Sequence, residues 1–159
     1  MRQNNLEDAF KVLQEAARGI GYFHLADTQG KMFGIESNFD EFDVVIPKKN
    51  LLFHTNCYCT ERYKADDIAP AFLPDSFVRR DRMHQLLEGI YGNITPEIMM
   101  EVLSDHLASP TGICRHIDDT KPQAGQLVTL ASYIMVPEDG IMKIAYGNPC
   151  EYEYIDYKV

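Results

Sequence analysis

Two short stretches of the chain gather reactive side chains at close spacing. Leu51-Leu-Phe-His-Thr-Asn-Cys57 ends an apolar run with an imidazole, a hydroxyl and a carboxamide. If that run is a strand, His54, Thr55 and Asn56 arrive at its rim. A carboxamide there can donate a hydrogen bond to the negative oxygen that develops when an amide or ester carbonyl is attacked. Asparagine equally bonds its own backbone in turns, so Asn56 has a local role open to it as well. The second stretch, Ser109-Pro-Thr-Gly-Ile-Cys-Arg-His116, sets a guanidinium between a thiol and an imidazole. Read as a short strand, it sends Cys114 and His116 to one face and Arg115 to the other. The fork of donors on Arg115 suits a carboxylate, or a salt bridge to Asp105, Asp118 or Asp119. Together the two stretches describe an oxyanion and carboxylate environment of the kind used in amide chemistry.

The cysteines admit three further readings. Cys57, Cys59, Cys114 and Cys150 occur in a chain whose start, Met1-Arg-Gln-Asn-Asn-Leu6, lacks the basic head and apolar run of a secretory signal, so free thiols are expected. Cys57 or Cys114 with His54 or His116 would make a thiol–imidazole nucleophile pair, against which stands the habit of buried free cysteines to behave as small apolar residues. His54, Cys57, Cys59, Cys114 and His116 are candidate metal ligands. Cys57-Tyr-Cys59 lacks the Cys-x-x-Cys spacing of zinc knuckles and no second pair stands at a matching interval, so neither a metal nor a cofactor is expected. His24 and His84 fall on strand and helix faces and read as structural.

Periodicity supplies the elements that must hold these groups. Leu6, Ala9, Phe10, Leu13, Ala16, Ala17 and Ile20 follow helical spacing after an Asn5 N-cap, with Gly19 as the stop. Residues 21–27 and 31–36 around Thr28-Gln-Gly30 read as one hairpin, and residues 43–46 and 51–54 as a second. Residues 61–76 read as a surface connection. Helices return over residues 77–91 and after Thr95-Pro96-Glu97, an N-cap, a first-turn proline and a first-turn acid. Strands are expected over 111–116, 127–136, 141–147 and 152–159, with Pro137-Glu-Asp-Gly140 as a hairpin turn. Antiparallel runs that do not alternate with helices indicate an α+β domain spanning residues 1–159.

Composition bounds the partners. With 24 acidic and 15 basic side chains, the formal charge of -9 disfavours nucleic acid and anionic membranes and leaves a small molecule or a protein. No apolar stretch approaches the ~20 residues of a membrane span, so a cytoplasmic chain is expected.

His54-Thr-Asn56, the Ser109–His116 stretch, Thr129-Leu-Ala-Ser-Tyr-Ile134, and Ala145-Tyr-Gly-Asn-Pro-Cys150 with Tyr154 after it resemble, in order and spacing, the later part of the acyl-coenzyme A:6-aminopenicillanate acyltransferase family of N-terminal nucleophile hydrolases. The resemblance runs from the helix at Asn5 to Val159. It implies a four-layer αββα sandwich and cleavage or transfer of acyl groups at amide bonds by a cysteine freed at a new chain start. It implies an oxyanion-hole role for Asn56 and a place near the nucleophile for Arg115, with His54, Thr55, Cys114 and His116 around the substrate pocket. This chain departs from the family at Cys57-Tyr58, where a histidine and an aromatic are usual, and at Ile117, where proline is usual.

A nucleophile of this class uses its own α-amino group as base. The chain begins Met1-Arg2-Gln3, so the expectation is the later part of a catalytic unit, inactive until an upstream polypeptide supplies the cysteine and self-associating or heteromeric through unpaired sheet edges. The alternatives are a non-catalytic small-molecule-binding module of that fold, and a thiol enzyme using Cys57 or Cys114.

Overall fold

The computed structural model describes residues 3–16, 19–39 and 41–159 and divides into two compact units, Met1–Leu73 and Pro74–Val159. Each is α+β, with one three-stranded antiparallel sheet.

The first unit begins with α1 (Leu6–Ala16). Asn5 caps it as expected, its side-chain oxygen accepting from the Asp8 amide at 2.8 Å. Ala17, counted on the apolar face, lies outside the described residues. The sheet is a meander of β1 (Gly21–Ala26), β2 (Met32–Asn38) and β3 (Glu41–Val45). The expected turn joins β1 to β2: the Asp27 carboxylate accepts from the amides of Gln29 and Lys31, and Gly30 has φ 76°.

Strand alternation gives this sheet two different faces. Phe23 pairs with Ile35, and Leu25 with Phe33, to make an apolar face on which Phe10 of α1 meets Phe33 edge-on at 6.0 Å. Tyr22 pairs with Glu36, and His24 with Gly34, on the other face. Ile35 and Glu36, adjacent and pointing oppositely, are both fully buried.

The second expected hairpin is only partly formed. Its first arm is β3, which pairs with β2. The tight turn exists, with Lys49 and Asn50 at positive φ and reciprocal backbone bonds between Lys48 and Leu51. Residues 52–54 form no ladder, because the chain turns inward to bring His54 to Glu36. The expected surface connection over 61–76 contains a 3-10 turn at Lys64–Asp66 and α2 (Ala69–Phe72), with the Asp67 carboxylate accepting from the Ala69 amide.

The second unit places α3 (Asp75–Gly89) and α4 (Pro96–Leu103) before a meander of β4 (Ser132–Val136), β5 (Ile141–Ala145) and β6 (Ile155–Lys158). Thr95 caps α4, its hydroxyl accepting from the Ile98 amide at 3.3 Å. Gly140, at φ 60°, closes the expected turn between β4 and β5.

The expected strand over 111–116 is corrected by its hydrogen bonds. The Cys114 amide donates to the Asp105 carbonyl and the His116 amide to the Pro110 carbonyl, so the segment curls back on the residues just before it. Gly112 permits the curl, since a Cβ there would lie 2.7 Å from the Leu107 carbonyl oxygen. Arg82 of α3 anchors the loop by a two-pronged ion pair to Asp105, at 3.1 and 2.7 Å. Residues 127–131, expected to begin a strand, stay outside the sheet; there Thr129 exchanges bonds with Arg115, donating its amide to the carbonyl and accepting the Arg115 amide at its hydroxyl.

Candidate functional site

A buried carboxylate organises the site in the first unit. Glu36 projects from the middle strand, where water cannot solvate it. One oxygen accepts from the Cys59 amide and from His54 Nε2 at 2.8 Å; the other accepts from the Thr60 amide at 2.9 Å and its hydroxyl at 2.7 Å. Burial alone would raise its pKa, but the bonds from His54, Thr60 and the two amides prevail and lower it to about 2. Glu36 is therefore an anion at neutral pH and only accepts. His54 Nε2 must therefore carry the proton of their shared bond.

The imidazole is fixed in orientation as well as in tautomer. Tyr22 stacks on it with ring centroids 3.7 Å apart and planes within 7°. The Tyr22 ring in turn lies across Gly34, where a Cβ would fall 2.5 Å from the ring's Cε2 and from its hydroxyl, a close approach that favours glycine. Burial, reinforced by the neighbouring Glu36 charge, pushes the Tyr22 phenol up and keeps it protonated. Burial and the adjacent His54 lower the pKa of His24.

Beside this scaffold lies a pocket of about 390 Å³. Ile20, Tyr22, Ile68 and Leu73 give it apolar walls, while His54, Thr55 and Asn56 bring polar groups to it. Three of the residues expected at the site thus share one cavity. Asn56 is exposed there, whereas Cys57 next to it is 4% exposed and accommodates its thiol against the Thr55 hydroxyl at 3.3 Å. A hydrogen-bond donor at the mouth of an apolar pocket can bind an acyl group by its chain and polarise its carbonyl.

The other expected residues belong to the second unit. Arg115 pairs with Asp75 at the start of α3, which also accepts from Arg79 at 3.0 Å, instead of with Asp105, Asp118 or Asp119. Burial lowers the Arg115 pKa, and its Nε is buried without an acceptor among the described residues. Cys114 is fully buried and its sulfur lies 3.6 Å from His116 Nε2, so the two do point the same way although their backbone is a loop.

Glu36 has no part in the sequence reading, because its partners lie 18 to 24 positions away and nothing local marks it. Asn148 enters the sequence reading only within the Ala145–Cys150 stretch; it is buried and donates to the Arg115 carbonyl at 2.8 Å.

Among the described residues no helix is long and apolar enough to cross a membrane. A search of the curated proteins finds no significant match. The family model for acyl-coenzyme A:6-aminopenicillanic acid acyl-transferase matches residues 2–151, a span that contains the His54–Asn56 and Cys114–His116 motifs together, and the chain belongs to that family.

Proposed function

We propose that the first unit forms the acyl-binding and oxyanion-stabilising side of a cysteine acyltransferase or amidohydrolase of the N-terminal nucleophile type, acting on small non-peptide amides. The four-layer αββα arrangement belongs to the same proposal. The observation that carries it is the placing of Asn56 at an apolar pocket whose polar wall is held by the Glu36 carboxylate. The Asn56 carboxamide donates to the carbonyl oxygen as it gains charge, and the pocket walls hold the acyl chain. Arg115 has a positioning role within its own unit, acting through Asp75.

The attacking thiol, in this reading, is none of Cys57, Cys59 and Cys114 but a cysteine at the first position of a processed segment. Burial of Cys57 and Cys114 supports this, as does the lodging of the Cys59 thiol against the Phe53 carbonyl. Such a segment brings its own base, the α-amino group beside the thiol.

The test is co-expression with a segment that presents such a cysteine, followed by assay of N-acyl amino acid hydrolysis. Asn56→Ala should lower kcat by about 10²- to 10³-fold with little change in KM. An unchanged kcat in that variant would refute the role of Asn56. Loss of activity in a Cys57→Ala or Cys114→Ala variant that keeps its fold would favour the internal thiol enzyme, and ligand binding without turnover in a folded complex would leave the binding module.

A further inference from the structure

In the second unit four side chains from three separate stretches converge. His106 follows α4, Cys114 and His116 lie on the curled loop, and Cys150 sits in the turn after β5. Their donor atoms all lie within 4.8 Å of one another. His106 Nε2 is 3.0 Å from His116 Nε2, Cys114 Sγ is 3.5 Å from Cys150 Sγ, and the two sulfurs are 3.6 and 3.4 Å from His116 Nε2.

Hydrogen bonding does not account for this arrangement. A neutral or protonated imidazole nitrogen has either one lone pair or one N–H, and can satisfy one of the three contacts that converge on His116 Nε2. A shared cation satisfies them all. Tetrahedral zinc with ordinary Zn–S and Zn–N bonds of about 2.3 and 2.05 Å has edges of about 3.8 Å between sulfurs, about 3.3 Å between nitrogens and about 3.6 Å between unlike atoms. The separations of 3.0 Å between the nitrogens, 3.5 Å between the sulfurs and 3.4 and 3.6 Å between unlike atoms each lie within about 0.3 Å of those edges.

The surroundings also suit a metal. The Asn148 side-chain amide donates to Cys114 Sγ at 3.4 Å, a bond that stabilises a thiolate, and the Glu151 carboxylate lies 3.6 Å from His116 Nδ1. A carboxylate behind the free nitrogen of a ligating histidine orients the ring and raises its basicity. By contrast, the Glu36, His54 and Cys59 group, equally close-set, has its carboxylate fully used by four internal donors.

We infer that His106, Cys114, His116 and Cys150 form a closed Cys₂His₂ site for a divalent zinc-type cation. It ties the loop between α4 and β4 to the turn between β5 and β6. With four protein ligands it has no open position for substrate, and its role is structural. On binding, each thiol gives up its proton to solvent, so one divalent cation enters as two protons leave. Spacing conceals the site in the sequence, since the ligands stand eight, two and thirty-four positions apart along the chain.

The experiment is titration of the purified, reduced full chain with cobalt(II) and then zinc(II) under anaerobic conditions. The expected results are one metal per chain, the visible spectrum of tetrahedral cobalt with thiolate charge transfer, and displacement by zinc. His106→Ala, on an exposed side chain, should lose more than about 100-fold in affinity and keep its fold, and Cys150→Ser, which leaves Cys114 as the one thiolate of the site, should weaken binding likewise and cut the thiolate band by about half. Asn148→Ala should weaken binding about 10- to 100-fold, and His84→Gln should leave it unchanged. Absence of binding at micromolar metal, or binding indifferent to His106→Ala and Cys150→Ser, would overturn the inference, as would a Cys114–Cys150 disulfide in the protein as isolated under reducing conditions.

Discussion

Replacing Glu36 by glutamine tests whether one buried anion holds the pocket wall. In the folded chain its carboxyl titrates at about 2, against 4.5 for the ordinary value that the unfolded chain shows. A folded pKa below the unfolded one means that protons favour unfolding. The contribution is therefore fully present above about pH 5 and is lost as the pH falls from 4.5 toward 2. The separation corresponds to about 3 kcal/mol at neutral pH. Glu36→Gln keeps the shape but turns an amide N–H₂ toward donors, so at neutral pH it should cost about 3 to 5 kcal/mol. Urea denaturation of both proteins, in steps from about pH 7 to 2, gives the difference curve in which the other carboxylates cancel. That difference should be flat above about pH 5 and shrink by about 3 kcal/mol on further acidification. A difference constant from about pH 5 to 2 would show that Glu36 titrates in the folded chain as it does in the unfolded one, and the account of the site would fail.

Two other substitutions probe neighbouring links. Gly34→Ala puts a methyl group where the Tyr22 ring lies; it should cost about 1 to 3 kcal/mol in denaturant melts and remove the ring-current shift of the stacked His54 in proton NMR. Asp75→Asn strands the Arg115 guanidinium with a neutral partner and should cost about 3 kcal/mol. Adding Arg115→Met should recover part of that loss, and a double variant less stable than Asp75→Asn alone would contradict the pairing.

Features written in a few adjacent residues were legible. Asn5 before its helix, Thr95-Pro96, the turn at Thr28–Gly30 and Pro137–Gly140 all formed as their local chemistry requires. His54, Thr55 and Asn56 adjoin in the sequence, and all three line one cavity. What sequence periodicity missed was decided by contacts between distant residues. The β-like composition of 111–116 yields to the carbonyls of Asp105 and Pro110, which claim its amides, and residues 52–54 leave the sheet because His54 has an acid to reach. Arg115 has three acids near it in sequence, yet pairs with Asp75, 40 positions away. Burial does not separate these acids, since Asp105 and Asp118 are as enclosed as Asp75; Asp105 is already held by Arg82, and Asp118 by Thr120 and Lys121.

The amides of Cys59 and Thr60 donate to a side chain where most sheathed amides donate to a neighbouring strand. Their protons can exchange with solvent deuterium only when the Glu36 carboxylate releases them. Because the other bonds of that carboxylate hold His54 and the Thr60 hydroxyl, release of the amides and loosening of the pocket wall are one event. These two protons thus form a clock inside the molecule, one that reads how often the wall opens before any substrate is known.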